Sequence, residues 1–339
     1  MEWMRLSAKG QVQLTPWPMN RVGAPLVPCR PQVESRPIMS EELKTRIHGA
    51  ASLPTLVYLP GLHGDWTLVS SFRAAVAGRV RFVEFTYPRT VTWSLDDYAA
   101  AIESALLAHG IERGWLLAES FGSQPAWQLI ARSFQSSGPD QEAPIPNPQS
   151  AIRNPQSTAG PGVESPASPA TPGTRQHFQP EGLILAGGFV RHPVISGVRW
   201  MRRLNAALPA WALRGLFRVY ARYARFRHRQ ASATLGYVGE FVANRLAEGD
   251  QAAIVHRLDL IAGHDPSPIA RQTELPVRYL AGLIDPLVPW PFVRRWLRRN
   301  CPGYLGGTTI LNADHNVLST APQAAARRVL AWMSGAPAS

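Results

Sequence analysis

At 339 residues, 45% of them apolar, the chain carries enough hydrophobic material for one large domain or two ordinary ones, which excludes a wholly disordered protein. Its 35 basic and 23 acidic residues leave a net charge of +12, nearly all of it arginine, because lysine occurs only at Lys9 and Lys44; the skew reads first as a GC-rich coding bias, and no nucleic-acid partner is expected from it. Two cysteines, Cys29 and Cys301, exclude a disulfide scaffold, and no Cys/His spacing suggests a metal.

The first 38 residues are proline-rich and without a sustained period, and Met39-Ser40-Glu41-Glu42 offers a second plausible start. Residues 1–38 are therefore expected to be a disordered extension or an over-called start. The start Met1-Glu2-Trp3-Met4-Arg5 lacks the apolar region of a secretory signal, and no apolar run approaches the roughly 18 residues of a spanning helix. A cytoplasmic location is the default expectation.

From Leu53 the chain reads as alternating strand and helix. Thr55–Leu59, stopped by Pro60-Gly61, and Val80–Thr86, ended by Tyr87-Pro88, have the short continuous apolar runs of buried parallel strands. Ser94 caps a helix with Leu95, Ala99, Ile102 and Leu106 on one face. Trp115–Leu117 predicts a third strand, which turns through Ala118-Glu119-Ser120-Phe121-Gly122 into a helical pattern from Gln124 to Ala131. Residues 39–134 are thus expected to form the first part of a core.

Residues 135–180 break the alternation with Pro, Ser, Gln and Asn and a short repeat, Asn147-Pro148-Gln149-Ser150 and Asn154-Pro155-Gln156-Ser157; this composition builds no core and reads as a surface insertion. Gly182–Leu185 predicts a fourth strand, within a core segment 181–195. The segment 196–264 is a second insertion, helical and aromatic, and no acidic residue occurs from Gly182 to Gly239. Arg214, Arg218, Arg222, Arg225 and Arg229 recur there at helical spacing, beside Leu213, Leu216, Phe217, Tyr220 and Tyr223. Such a stripe is either a solvated face or a contact for an anionic membrane surface or acidic substrate. Val277–Leu280 and Thr308–Leu311 complete six strands, within a second core part over 265–339. Strands separated by helices of this length imply a mostly parallel sheet with helices on both faces.

A serine on a sharp strand-to-helix turn has its hydroxyl clear of the backbone, and small residues on either side let strand and helix pass closely. A lone small-x-Ser-x-Gly match is a weak signal; its context strengthens it. Asp285 follows the fifth expected strand and His315 the sixth, so a nucleophile, a carboxylate and an imidazole lie at the carboxyl ends of three strands, where open α/β sheets place their sites. Asp265 and Asp314 are rival acids: the first precedes its strand and the second adjoins the histidine too closely. No GxGxxG turn or Walker lysine is present, and neither a cofactor nor a metal is implied.

These features resemble the α/β-hydrolase superfamily over about residues 53–133 and 181–334, in the strand-elbow context, the Gly282–Pro289 segment, the Asp-His-Asn-Val segment at 314–317 and an insertion placed where these enzymes carry a helical cap. Ala118 departs from the usual glycine. The resemblance implies Ser120 as nucleophile, His315 as base and Asp285 as the orienting acid. It implies the Phe121 N–H as one oxyanion donor. The second is the Leu62 N–H if Pro60-Gly61 takes the family's His-Gly place, or that of Asp65 if His63-Gly64 does; Leu62 is preferred. Trp200, Trp211, Phe217 and Tyr220 of the cap are expected to line an apolar acyl pocket. The activity to expect is a serine hydrolase acting on a small-molecule carboxylic ester or thioester. An acyltransferase with the same triad and a non-catalytic binding protein are the alternatives.

Overall fold

The computed structural model describes residues 42–136, 177–227, 232–247 and 249–335. The expectations for residues 1–38 and the repeat of the first insertion, as well as Cys29, lie outside these residues. Seven strands form one sheet in the order β1-β3-β2-β4-β5-β6-β7: β1 (Lys44–His48), β2 (Thr55–Leu59), β3 (Arg81–Thr86), β4 (Arg113–Glu119), β5 (Gln179–Ala186), β6 (Val277–Ile284) and β7 (Tyr304–Asp314). β1 runs antiparallel to β3, and every other neighbouring pair is parallel.

All six expected strands are present, and most extend beyond the apolar run that announces them. β7 begins at Tyr304 rather than Thr308, because its ladder with β6 starts at Val277 and Tyr304. β1 was not expected. It is an edge strand whose residues are exposed or half-buried, and only Leu43 and Ile47 of this stretch pack on the core, so it shows no apolar run.

Alternation along the inner strands sends side chains to two cores. Val57 and Leu59 of β2, Leu116 and Ala118 of β4, and Leu183 and Leu185 of β5 face one core. It is covered by α2 (Leu95–Ala108), α3 (Ser123–Ser136) and α9 (Trp290–Asn300). Leu56, Tyr58, Leu117 and Ile184 face the other, under α1 (Ser70–Val76), α10 (Val317–Thr320) and α11 (Pro322–Met333). Ser94 caps α2 as expected: its Oγ accepts from the Asp97 N–H at 3.2 Å while the Asp97 carboxylate accepts from the Ser94 N–H at 2.7 Å. The second insertion is helical throughout its described length: α4 (Ile195–Ala207), α5 (Ala210–Arg227), α6 (Ser232–Arg245) and α7 (Asp250–Gly263), followed by the short α8 (Ser267–Gln272). Val198, Phe241, Ile254, Leu258 and Ile261 anchor it in the interior. Among the described residues no helix is long and apolar enough to cross a membrane.

The strand order reverses at β2. From there the chain moves outward to β3 and then returns to the other side of β2 as β4. The loops leaving β2 and β4 therefore diverge and open a crevice at the carboxyl edge of the sheet. At its floor the turn after β4 crosses the end of β2 so closely that a Cβ on Gly122 would press into the backbone carbonyls of Leu59 and Pro60. Gly122→Ala should lower the unfolding free energy by about 2–3 kcal/mol in urea titration, because rigid backbone must move to admit the methyl group. Ala118→Gly, near the end of β4, should cost only about 1 kcal/mol.

Candidate active site

The turn leaving β4 holds Ser120 at φ +49°, and among the described residues no other non-glycine residue has a positive φ. A left-handed serine is strained by roughly 1 kcal/mol, and packing has to hold it there. The Ser123 hydroxyl donates to the Ser120 carbonyl at 2.7 Å and accepts from the Phe189 N–H at 3.2 Å, which ties the turn to the loop after β5. The strain directs the Ser120 hydroxyl into the crevice.

His315 directly follows β7 and Asp285 directly follows β6. His315 Nε2 lies 2.9 Å from Ser120 Oγ, and its Nδ1 lies 2.9 Å from Asp285 Oδ2. Two constraints assign the protons: Nδ1 donates to the carboxylate, which leaves Nε2 as acceptor of the serine hydroxyl. The other Asp285 oxygen accepts the N–H groups of Leu287 and Val288, both at 2.9 Å, so the buried carboxylate is oriented by backbone. The rival acids are engaged elsewhere. Asp265 accepts from the Ser267 N–H and pairs with Arg191 at 3.4 Å; Asp314 Oδ1 accepts the Asn316 N–H at 3.0 Å.

Burial of His315 works against its charged form, but the hydrogen bond and charge of Asp285, with Glu119 and Asp314 adding to them, hold its pKa above the ordinary 6.5. An imidazole so placed can take a proton from the hydroxyl as that oxygen attacks, and the carboxylate stabilises the imidazolium that results. Glu119 was not anticipated as part of this site. It is buried beside Ser120, accepts the Tyr58 hydroxyl, and has its pKa raised by burial. Its residue type on the elbow was visible in the sequence, but its partner on β2 was not.

The loop after β2 runs along the same crevice. A Cβ on Gly61 would lie 3.4 Å from that of Ser120, so this backbone passes directly beside the serine. Among the described residues the next amide, that of Leu62, makes no hydrogen bond. Asp65 is otherwise engaged: its carboxylate accepts from Arg245 at 2.6 Å and from the Thr67 N–H at 2.9 Å. Phe121, whose amide is the other expected donor, is fully buried in the turn.

Ser120, His315 and Asp285 open into a cavity of about 620 Å³. The insertion supplies much of its apolar wall through Val198, Trp200, Met201, Phe241, Leu258 and Ile261. Trp200 is thus in the wall, although 64% of it is exposed. Trp211 is not: it stands 76% exposed near the start of α5, on a face that nothing described covers. The side chains of Phe217 and Tyr220 lie outside the described residues. Phe241 and Met201 were missed because a single buried aromatic or methionine on a helix looks like any core residue. Among the described residues no group of three His, Cys, Asp or Glu side chains could hold a metal ion.

No protein-family model matches the sequence, and no curated protein matches it. Solved structures do match the fold. A hydrolase from Pseudomonas aeruginosa superposes with a TM-score of 0.60 at 14% identity, over 86% of this chain and 94% of its own. A thermophilic esterase from Thermogutta terrifontis gives 0.59 at 15% identity, over 86% and 93%. The enol-lactonase from Burkholderia xenovorans gives 0.58 at 15% identity, over 86% and 96%. The chain has the fold of the α/β-hydrolases.

The electrostatics generate a test. Replacing Glu119 by Gln removes a negative charge that favours the imidazolium while keeping an acceptor for Tyr58. The His315 titration followed by NMR should move to lower pH, and a midpoint unchanged or raised would refute the coupling.

Proposed function

We propose that this protein is a serine hydrolase that cleaves a small-molecule carboxylic ester or thioester through an acyl-enzyme intermediate. The observation that carries the reading is the unbroken hydrogen-bonded chain Asp285–His315–Ser120, with both links at 2.9 Å, lining a largely apolar cavity. Fold neighbours named as a hydrolase, an esterase and an enol-lactonase support it.

In this mechanism Ser120 Oγ bonds to the substrate's carbonyl carbon as its proton passes to His315 Nε2. The carbonyl oxygen becomes an oxyanion, held by the N–H groups of Leu62 and Phe121. Collapse of the tetrahedral species breaks the bond to the leaving oxygen or sulfur, which takes the proton from His315 and departs as an alcohol or thiol. Water then repeats the sequence on the acyl-serine and releases a carboxylic acid. The apolar wall favours an acyl or alcohol group of hydrocarbon character, since about 25 cal/mol is gained per Å² of apolar surface removed from water.

A fluorophosphonate probe should label the wild type and neither Ser120→Ala nor His315→Ala, and ester hydrolysis should fall about 10⁴-fold or more in both. Folded but unlabelled wild type would point to a binding protein. Labelled enzyme that esterifies an added alcohol faster than it releases acid would point to an acyltransferase.

A second reading concerns the surface of the insertion. Trp211, Leu216, Val219, Tyr223 and Phe226 of α5 are each more than half exposed, next to the exposed Arg218 and Arg222, in a segment without acidic residues. We infer that this face meets an anionic lipid surface, where each arginine contributes about 1 kcal/mol and the apolar residues enter the headgroup layer. The protein should co-sediment with phosphatidylglycerol vesicles at low salt, less so at high salt, and poorly as Arg218→Glu/Arg222→Glu. Equal sedimentation with phosphatidylcholine, or none with either lipid, would rule this out.

A further inference from the structure

The loop that carries the Leu62 amide is a turn in which all four carbonyl groups are engaged. The Gly64 N–H donates to the Gly61 carbonyl at 2.9 Å, and the Gly64 carbonyl accepts the Tyr87 N–H at 2.7 Å. The two carbonyls between them accept from side chains of the helical insertion. Arg257 Nη1, from the middle of α7, donates to Leu62 O at 3.0 Å, and Arg245 Nη1, from the last residue of α6, donates to His63 O at 2.9 Å. Both arginines are buried, at 1% and 3% exposure.

These two cations are held differently. Arg245 is paired with carboxylates, Asp65 at 2.6 Å and Asp250 at 3.3 Å. Arg257 forms no ion pair among the described residues and donates only to neutral oxygens. Besides Leu62 O these are Pro88 O at 2.9 Å and the Tyr98 hydroxyl at 3.4 Å, and its guanidinium also lies over the Tyr87 ring. A buried guanidinium without a carboxylate is expensive, and a neutral donor could have closed an ordinary turn more cheaply. The loop is shaped around it: Gly64 has φ +73°, and a Cβ there would come within 2.8 Å of three atoms of the Arg257 guanidinium.

We propose that Arg257 and Arg245 are positioning residues for the oxyanion site, fixing the Leu62 amide beside Ser120, so that the helical insertion completes the catalytic loop as well as covering the pocket. The proposal rests on the hydrolase reading above and on Leu62 as a donor. Arg257 fixes the peptide that follows the Leu62 amide, Arg245 the next, and the positive charge of Arg257, with no described carboxylate in direct contact, favours negative charge developing in the crevice. The planar fork matters, since one ammonium group cannot reach Leu62 O and Pro88 O together in the same geometry.

The test compares wild type with Arg257→Lys, Arg257→Met and Arg245→Gln, using p-nitrophenyl acetate and butyrate, with active sites counted by fluorophosphonate stoichiometry. kcat per labelled site should fall about 10- to 100-fold in the Arg257 variants, with KM changing less than about threefold and Lys restoring little. Affinity for a trifluoromethyl ketone, which forms the oxyanion covalently on serine, should fall in parallel with kcat/KM across the series. A structural role alone predicts fewer labelled sites and a lower Tm, with kcat per labelled site and ketone affinity unchanged; that result overturns the proposal. Should Arg257→Met fail to fold, Arg257→Lys and Arg245→Gln decide by the same criteria. Wild type that neither labels nor hydrolyses would instead refute the hydrolase reading itself.

Discussion

The site depends on one strained residue. Ser120 adopts a left-handed backbone that a serine does not choose, and it is held there because β4 must turn into α3 while crossing the end of β2. Gly122 gives the room for that crossing, and Ser123 ties the turn to the loop after β5. The two cores on either face of the sheet supply the rigidity. Leu59, Ala118 and Leu185, neighbours across three strands, are all fully buried just beneath the turn. Interior packing of this density does not yield to a strain of order 1 kcal/mol, so the hydroxyl stays where the crevice needs it.

A parallel sheet then brings the partners to the same edge. Strands β2, β4, β6 and β7 all point their carboxyl ends toward one crevice, which places the loop at Gly61, the Ser120 turn, Asp285 and His315 within reach of one another. His315 shows how the surroundings decide chemistry. Burial by itself would keep the ring neutral and a poor base; the buried carboxylate of Asp285, itself oriented by two backbone amides, reverses that balance. Glu119 adds a second negative charge from the elbow itself, held by a tyrosine on the neighbouring strand.

The helical insertion has two faces with different physics. Its inner side packs apolar residues on the cavity and threads Arg245 and Arg257 down to the loop after β2. Its outer side exposes aromatic and aliphatic residues beside arginines on α5. The arginines of the insertion thus include the buried Arg245 and Arg257 with defined acceptors, the exposed Arg202 paired with Asp259, and the exposed Arg218 and Arg222 on the outer face of α5.

The sequence by itself determined the alternating strands, the capped α2, and the order of serine, aspartate and histidine at strand ends. These are local signals, since an apolar run stopped by Pro60-Gly61 or a Ser94–Asp97 cap acts within a few residues. Tertiary structure alone decided the rest. β1 exists because an edge was available on β3, not because its residues form an apolar run. Asp285 rather than Asp265 or Asp314 meets the imidazole, and Trp211 stands outside the cavity while Phe241 lines it. The hydrogen bond from Ser120 to His315 and the one from Arg257 to Leu62 each join residues 195 positions apart. No periodicity or spacing reaches that far; only the folding of the sheet and the docking of the insertion bring such groups into contact.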